Sequence, residues 1–171
     1  MTSQVEKQPP PFRRFLSFKL NHVRYCYSVL HAIRVECIRN FMQLTGPENG
    51  FAGHVEYAGQ LIPAIDLKQY YSGGRAVTRG HIGIVTQIED SWGKETLASV
   101  LVDEIGKVET VMYNRVGPYD DGAGGNFFPQ QLILGTCQTP EGKHLILDIN
   151  RTVNDVLSKE TGLYPTSPYN N

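Results

Sequence analysis

Short apolar runs, each closed by a cluster of turn-forming residues, recur along most of this chain, and the pattern predicts strands rather than helices. Phe15–Leu20 and Val23–Tyr27 flank Asn21-His22 and predict a hairpin. Ser28 is placed to cap a single helical turn through Ala32. Arg34–Leu44 has β-branched and aromatic character, with its break left open, and Thr45–Gly50 is a loop. Val55–Tyr57 and Gln60–Ile65 predict a second hairpin, in which Pro63 marks either an edge strand or a bulge. Asp66–Tyr71 reads as one helical turn, ended by Gly73-Gly74.

Beyond that point, strands are expected over His81–Ile88, Thr96–Val102, Lys107–Tyr113, Leu132–Cys137 and Lys143–Ile149. Glu89–Lys94 is a polar turn, and the glycine-rich Gly117–Asn126 a mobile loop. Only Arg151–Leu157, with Val153, Val156 and Leu157 on one face, has the helical period. Residues 1–11, with three successive prolines, predict a disordered lead-in, and 159–171 a flexible tail. About nine or ten short strands with little helix indicate small barrels or a sandwich.

One phrase is written twice. Gly53…Gly59-Gln-Leu-Ile-Pro-Ala-Ile-Asp66-Leu67 is matched by Gly135…Gly142-Lys-His-Leu-Ile-Leu-Asp148-Ile149, with the same interval from first Gly to Asp. A repeated strand–turn–strand predicts two similar β units. They are expected to divide at the Gly73-Gly74 loop, a first barrel over about 12–74 and a second over about 76–150, with the exact exchange of strands between them left open.

Composition narrows the class without adding chemistry. The 171 residues are 40% hydrophobic and 19% charged, with a formal charge of −1. That balance argues against a nucleic-acid or anionic-membrane partner, which would need a net basic face. No apolar run reaches the ~20 residues of a membrane span, and no signal peptide is apparent, so a cytoplasmic protein is expected. Cys26, Cys37 and Cys137 have neither metal nor disulfide spacing; Cys26 and Cys137 read as buried thiols, suited to a reducing compartment.

Asp66, Asp103 and Asp148 each follow an apolar strand. They would suit acid–base chemistry in a small enzyme or ligand-binding barrel; as turn residues they would instead accept hydrogen bonds from backbone amides. His22, His31, His54, His81 and His144 show no paired-ligand spacing, so no metal is expected. The glycines at 122–125 lack the Lys-Ser/Thr of a phosphate loop, so no cofactor is expected. Tyr57, Tyr70, Tyr71 and Trp92 are candidate partner anchors, although core packing, or for Trp92 a cover over its hairpin, is the favoured explanation of each.

Taken together, Phe15-Leu-Ser-Phe18 with Tyr25, the Gly53–Leu67 run, Val100-Leu-Val-Asp103-Glu-Ile105, and Leu134-Gly135 leading to Leu145-Ile-Leu-Asp148-Ile149 resemble the CheW-like family of bacterial chemosensory adaptors, over about residues 13–158. The resemblance implies two five-stranded SH3-like barrels packed through a hydrophobic interface, with a short C-terminal helix. It further implies a non-catalytic scaffold without cofactor. One barrel would dock on the regulatory domain of a CheA-type histidine kinase, and a groove near the barrel junction would take the cytoplasmic tip of a methyl-accepting chemoreceptor.

The resemblance also locates a departure. The family commonly has Asn-Leu-Arg-Gly where this chain has Glu56-Tyr57-Ala58-Gly59, and an acidic residue where an ungapped match places Arg34, with Glu36 two residues on. Arg34, Glu56, Tyr57 and Ala58 are therefore the expected partner-binding positions, and their altered charges imply an adaptor with changed partner specificity.

Overall fold

A computed structural model describes residues 12–38, 41–42, 50–74, 78, 82–120 and 126–161. The expected lead-in at 1–11, the loop at 45–49, His81, the centre of the glycine-rich loop at 121–125 and the tail beyond 161 lie outside these residues.

The strands are β1 Phe12–Leu20, β2 Val23–Ser28, β3 Ala32–Cys37, β4 Phe41–Met42, β5 Phe51–Tyr57 and β6 Gln60–Ile65. After helix α1 (Leu67–Tyr71) come β7 Ile82–Glu89, β8 Glu95–Val102, β9 Glu104–Met112, β10 Val116–Gly117, β11 Ile133–Thr139 and β12 Gly142–Leu147. Helix α2 runs from Ile149 to Thr161, so residues 159–161 of the expected tail are helical. Residues 29–31 form a turn rather than the helical turn expected after Ser28. The Leu30 amide donates to Ser28 Oγ and the Ala32 amide to the Val29 carbonyl, which reverses the chain directly into β3.

The strands form two six-stranded sheets. One runs β10-β11-β12-β2-β1-β9; the other, read from its far edge, runs β4-β5-β6-β8-β7-β3. Five strands of each are of ordinary length, and the sixth, β10 or β4, has two residues at an edge. Neither sheet closes into a barrel through the described pairings. The sheets are not the two halves of the sequence. β1 and β2 join the C-terminal strands, and β12 pairs parallel with β2. The first hairpin crosses over because its apolar positions find their partners in the C-terminal unit.

The repeated phrase occupies equivalent places. A constant shift in numbering carries the β5–β6 pairing of Phe51 with Ile65 and Gly53 with Ala64 onto the β11–β12 pairing of Ile133 with Leu147 and Gly135 with Ile146. Each hairpin has its register shift at the same step, just before the first glycine, whose φ is +131° at Gly53 and +155° at Gly135. A Cβ on Gly135 would run into the Gly117 carbonyl, so this bend needs glycine. The Asp66 amide closes on the Gly50 carbonyl and the Asp148 amide on the Leu132 carbonyl, again in equivalent positions. Pro63 is not on an edge strand: β6 lies inside its sheet, and the bulge is on β5. Its missing N–H is tolerated because the β6–β8 pairing begins only at Ala64.

Each sheet buries both faces. Ala52, Val55, Ile62, Ala64, Val85 and Leu101 form a small cluster on one side of the second sheet. Phe15, Cys26, Val111, Cys137 and Ile146 do the same in the first. The other faces meet in a shared core that includes Phe18, Tyr27, Ile65, Ile84, Val100, Leu145 and Leu147, with Val153, Val156 and Leu157 of α2. Two-sided burial accounts for the continuous apolar runs of β8 and β12. The Tyr27 hydroxyl bonds Thr86 Oγ1 at 2.8 Å and ties the sheets through that core.

Leu145→Ala removes a side chain with no solvent exposure from the shared core. It should cost about 3 kcal/mol, read as a lower urea midpoint with an unchanged slope.

Candidate functional site

The three strand-end aspartates do not converge on a reaction centre; each holds backbone in place. Asp66, 1% exposed, caps α1 by accepting from the Gln69 amide at 3.0 Å, and accepts from both the amide and the hydroxyl of Thr78 at 2.8 and 2.9 Å. Asp148 caps α2 through the Arg151 amide at 3.1 Å. Asp103, between β8 and β9, accepts the Asn21 amide at 2.7 Å and holds Lys68 Nζ with both oxygens, at 3.0 and 2.9 Å. The turn-residue reading of all three therefore holds, and the acid–base alternative gains no geometry from them.

The histidines are likewise dispersed. His31 Nδ1 lies 3.0 Å from the Gln87 carbonyl, and His54 sits edge-on to Phe51. His144 is buried, with Nδ1 against the Gly142 carbonyl and Thr139 Oγ1. Among the described residues no cluster of three metal-ligating side chains occurs.

The four expected partner-binding residues all lie on the second sheet. Arg34 is exposed on the edge strand β3, where Nε pairs with Glu36 Oε1 at 3.3 Å. Glu36 thus neutralises part of the Arg34 charge. Glu56 and Tyr57 end β5, and Ala58-Gly59 forms the two-residue turn into β6. Glu56 and Ala58 are exposed; Tyr57 is half-buried against the small cluster of its own sheet. Three strands separate β3 from β5, and no described hydrogen bond or ion pair joins Arg34 to the turn. The sheet thus presents two separate patches, not one cluster.

The turn has φ of +49° at Ala58 and +76° at Gly59, the left-handed pair that a two-residue hairpin demands. This backbone follows from hairpin length, so the side chain at 58 can change without changing the turn's class. Leu61, 59% exposed, extends the same tip with an unpartnered apolar surface.

A second feature is a groove of about 490 Å³ where the sheets meet α2, lined by Glu89, Asp90, Gln131, Asn150, Arg151 and Asp155 among others. Its floor is braced by backbone mimicry. Asn150 receives the Glu89 amide at 2.7 Å and donates to the Glu89 carbonyl at 3.0 Å, and Asn154 donates to the same carbonyl at 2.8 Å. These asparagines were not singled out from the sequence; their polar places beside the helix's apolar face were the only available signal.

The aromatic candidates divide. Tyr70 and Tyr71 are half-buried and share Asp155 through their hydroxyls, at 3.2 and 3.1 Å, so they join α1 to α2. Burial pushes the Tyr71 hydroxyl well above its usual range, with Asp155 acting in the same direction. Trp92 is 64% exposed at the β7–β8 tip. Asp90 turns the chain there, accepting the Trp92 and Lys94 amides.

Two outcomes follow from the buried polar groups. Lys68 and Asp103 have side chains only 9% and 25% exposed. Asp103→Ala should therefore cost about 2–3 kcal/mol by leaving the ammonium unpaired. Combining Lys68→Met with Asp103→Leu should cost less than the sum of the two single changes in urea titrations. Burial holds His144 below the ordinary 6.5, with Arg24 adding to it and the Gly142 carbonyl opposing. The unfolded chain then binds the proton at higher pH than the folded one. This contribution is complete above about pH 6.5 and is lost as pH falls below it. His144→Asn should flatten the acid side of a urea-midpoint profile between about pH 7 and 5.

The CheW-like domain model matches residues 14–157. The solved scaffolding protein TtCheW from Thermoanaerobacter tengcongensis is similar in fold, with a TM-score of 0.65 at 18% identity, over 88% of this chain and 93% of that one. No curated relative matches the chain by sequence. No helix among the described residues is long and apolar enough to cross a membrane. The family match takes in both sheets, the turn at Ala58 and most of α2, and on that extent the chain belongs to the CheW-like family.

Proposed function

We propose that this protein is a non-catalytic adaptor of a bacterial chemosensory array, coupling chemoreceptors to a CheA-type histidine kinase in the cytoplasm, and that its partner specificity is altered. The observation that carries the adaptor reading is the family match over residues 14–157; the altered specificity rests on the resemblance, which implies other charges at the exposed positions of Arg34 and Ala58.

The kinase regulatory domain would meet the second sheet at β3 and at the β5–β6 turn. Here Arg34 stands beside Glu36, and Ala58 follows Glu56-Tyr57. Exposed apolar groups at both places, Ile33, Val35 and Leu61, supply surface whose burial favours docking; the rim charges select the partner. The receptor tip would occupy the groove between the sheets beside α2. Its lining includes three carboxylates, on Glu89, Asp90 and Asp155, and Arg151, with Lys159 pairing Asp155 at 3.7 Å; the remaining negative balance suits a tip carrying a basic residue.

The turn makes the specificity reading testable at one residue. An arginine at 58 would inherit the same left-handed backbone and exposed direction as alanine. Ala58→Arg should raise affinity for the regulatory domain of a conventional CheA-type kinase by roughly tenfold, about 1.4 kcal/mol. Arg34→Glu should act in the same direction. Calorimetry on the isolated kinase domain measures both. Tight binding by the unmodified chain, with no gain from either change, would sink the altered specificity. Failure to bind any kinase domain or receptor tip, including those encoded beside it, would sink the adaptor reading itself.

A further inference from the structure

One pair of side chains has no part in docking. Cys26 lies on β2 and Cys137 on β11, strands that are not neighbours, since β12 runs between them. The sheet curls enough to bring the two Sγ atoms within 3.5 Å. Both residues are 1% exposed, among Phe15, Val111 and Ile146. The fold does not require sulfur there. The equivalent places in the second sheet, by the shift that superposes the repeated phrase, are Val55 and Ser99. A valine and a serine fill the same slot, so the facing thiols are peculiar to one unit.

We propose that Cys26 and Cys137 form a redox-active dithiol, a modification site at which a small-molecule disulfide is reduced and β2 becomes covalently joined to β11.

The pair is ordered for this chemistry. The sulfurs touch, and either thiol can donate to the other; the contact pulls the Cys137 thiol down and, together with burial, pushes Cys26 up. The negative charge of Glu109 opposes thiolate formation at either cysteine, so attack quickens as pH rises. Cys137, which lines the edge groove where Cys26 does not, releases its proton to solvent and attacks as the thiolate. It bonds to one sulfur of the small disulfide, whose S–S bond breaks to release one thiolate and leave a mixed disulfide. Cys26 gives its proton to the departing thiolate and attacks the Cys137 sulfur, displacing the second small thiolate, which takes back from solvent the proton that Cys137 released. Two protein thiols and one small disulfide thus become one protein disulfide and two small thiols.

Access comes from the sheet's thin edge. β10 pairs with β11 only at Val116–Cys137 and Gly117–Thr136, and a two-residue edge opens locally far below the cost of global unfolding. A groove of about 320 Å³ lies along this edge, lined in part by Arg115, Cys137 and Lys143. Its two cations suit an anionic disulfide, although Asp120 already holds Lys143 at 2.8 Å.

The test uses the full chain carrying Cys37→Ser, because Cys37 is exposed and would react alone. The folded chain is incubated with oxidised glutathione at mildly alkaline pH, quenched in acid, unfolded and alkylated. The expected product has lost two hydrogens, has no alkylatable thiol, yields a linked Cys26–Cys137 peptide and melts above the reduced chain; dithiothreitol reverses all four. With Cys26→Ser added, a glutathione adduct should accumulate on Cys137, whereas Cys137→Ser should leave Cys26 unmodified over the same time. The proposal is overturned if the folded chain keeps both thiols under conditions that modify the urea-unfolded chain, or if the adduct forms on Cys26. Should the serine variants fail to fold, the linked peptide from the Cys37→Ser chain decides alone.

Discussion

Burial of a second face on each sheet is the constraint from which the rest of this structure follows. The cluster inside either sheet is small, five or six buried residues with a few neighbours, too little apolar area to stabilise a β unit alone. The opposite faces must therefore meet, and they do so in a shared core that also takes the apolar side of α2. The crossing of β1 and β2 into the C-terminal sheet serves the same end, because it interleaves the two units along the chain. Polar ties then fix the relative position that apolar packing leaves soft. Tyr27 reaches Thr86, and Lys68 of α1 reaches Asp103, whose carboxylate also holds the Asn21 turn of the other sheet.

Much of this was legible in the sequence, and the parts that were not share a physical cause. The hairpins, the two copies of the phrase and the face of α2 are local, so periodicity and turn chemistry reveal them. The Asn21-His22 and Ala58-Gly59 turns could be placed from residue type alone. The sheet membership of β1 and β2 could not, because it depends on pairing between Tyr25 and Leu145, far apart in the chain. Pro63 misled for a similar reason. Its tolerance inside a sheet depends on where the parallel pairing to β8 begins, a property of two strands rather than one. Ser28 had the chemistry of a helix cap, but the pull of β3 onto β7 left room only for a turn.

For the candidate site, the sequence supplied residue identities but not their relation. Arg34 and Ala58 look like two halves of one altered charge pattern. The sheet order instead sets them on different strands, with β7, β8 and β6 between. Arg34 is also answered locally by Glu36, so part of the apparent charge reversal is an exchange of places along β3. The change at 58 has no such compensation: Glu56 has no ion-pair partner among the described residues, and the turn displays only an alanine methyl. Of the two departures that the resemblance implies, the one at 58 therefore alters the surface more.

The repeated phrase shows how one scaffold separates support from recognition. Both copies share a bend at the first glycine, a closure onto the residue sixteen positions before the aspartate, and an aspartate that caps the following helix. In the second copy the helix is α2, whose apolar side fills the shared core, so that aspartate supports the packing of the whole molecule. In the first copy the helix is α1, only five residues long, and Asp66 must recruit Thr78 to hold its end. The hairpin tip of that first copy is correspondingly free of structural duty. Ala58, Gly59, Gln60 and Leu61 are all exposed, and no core residue depends on their side chains. A surface relieved of packing can change its charge at little cost to stability, and it is at this tip that the proposed change of specificity is placed.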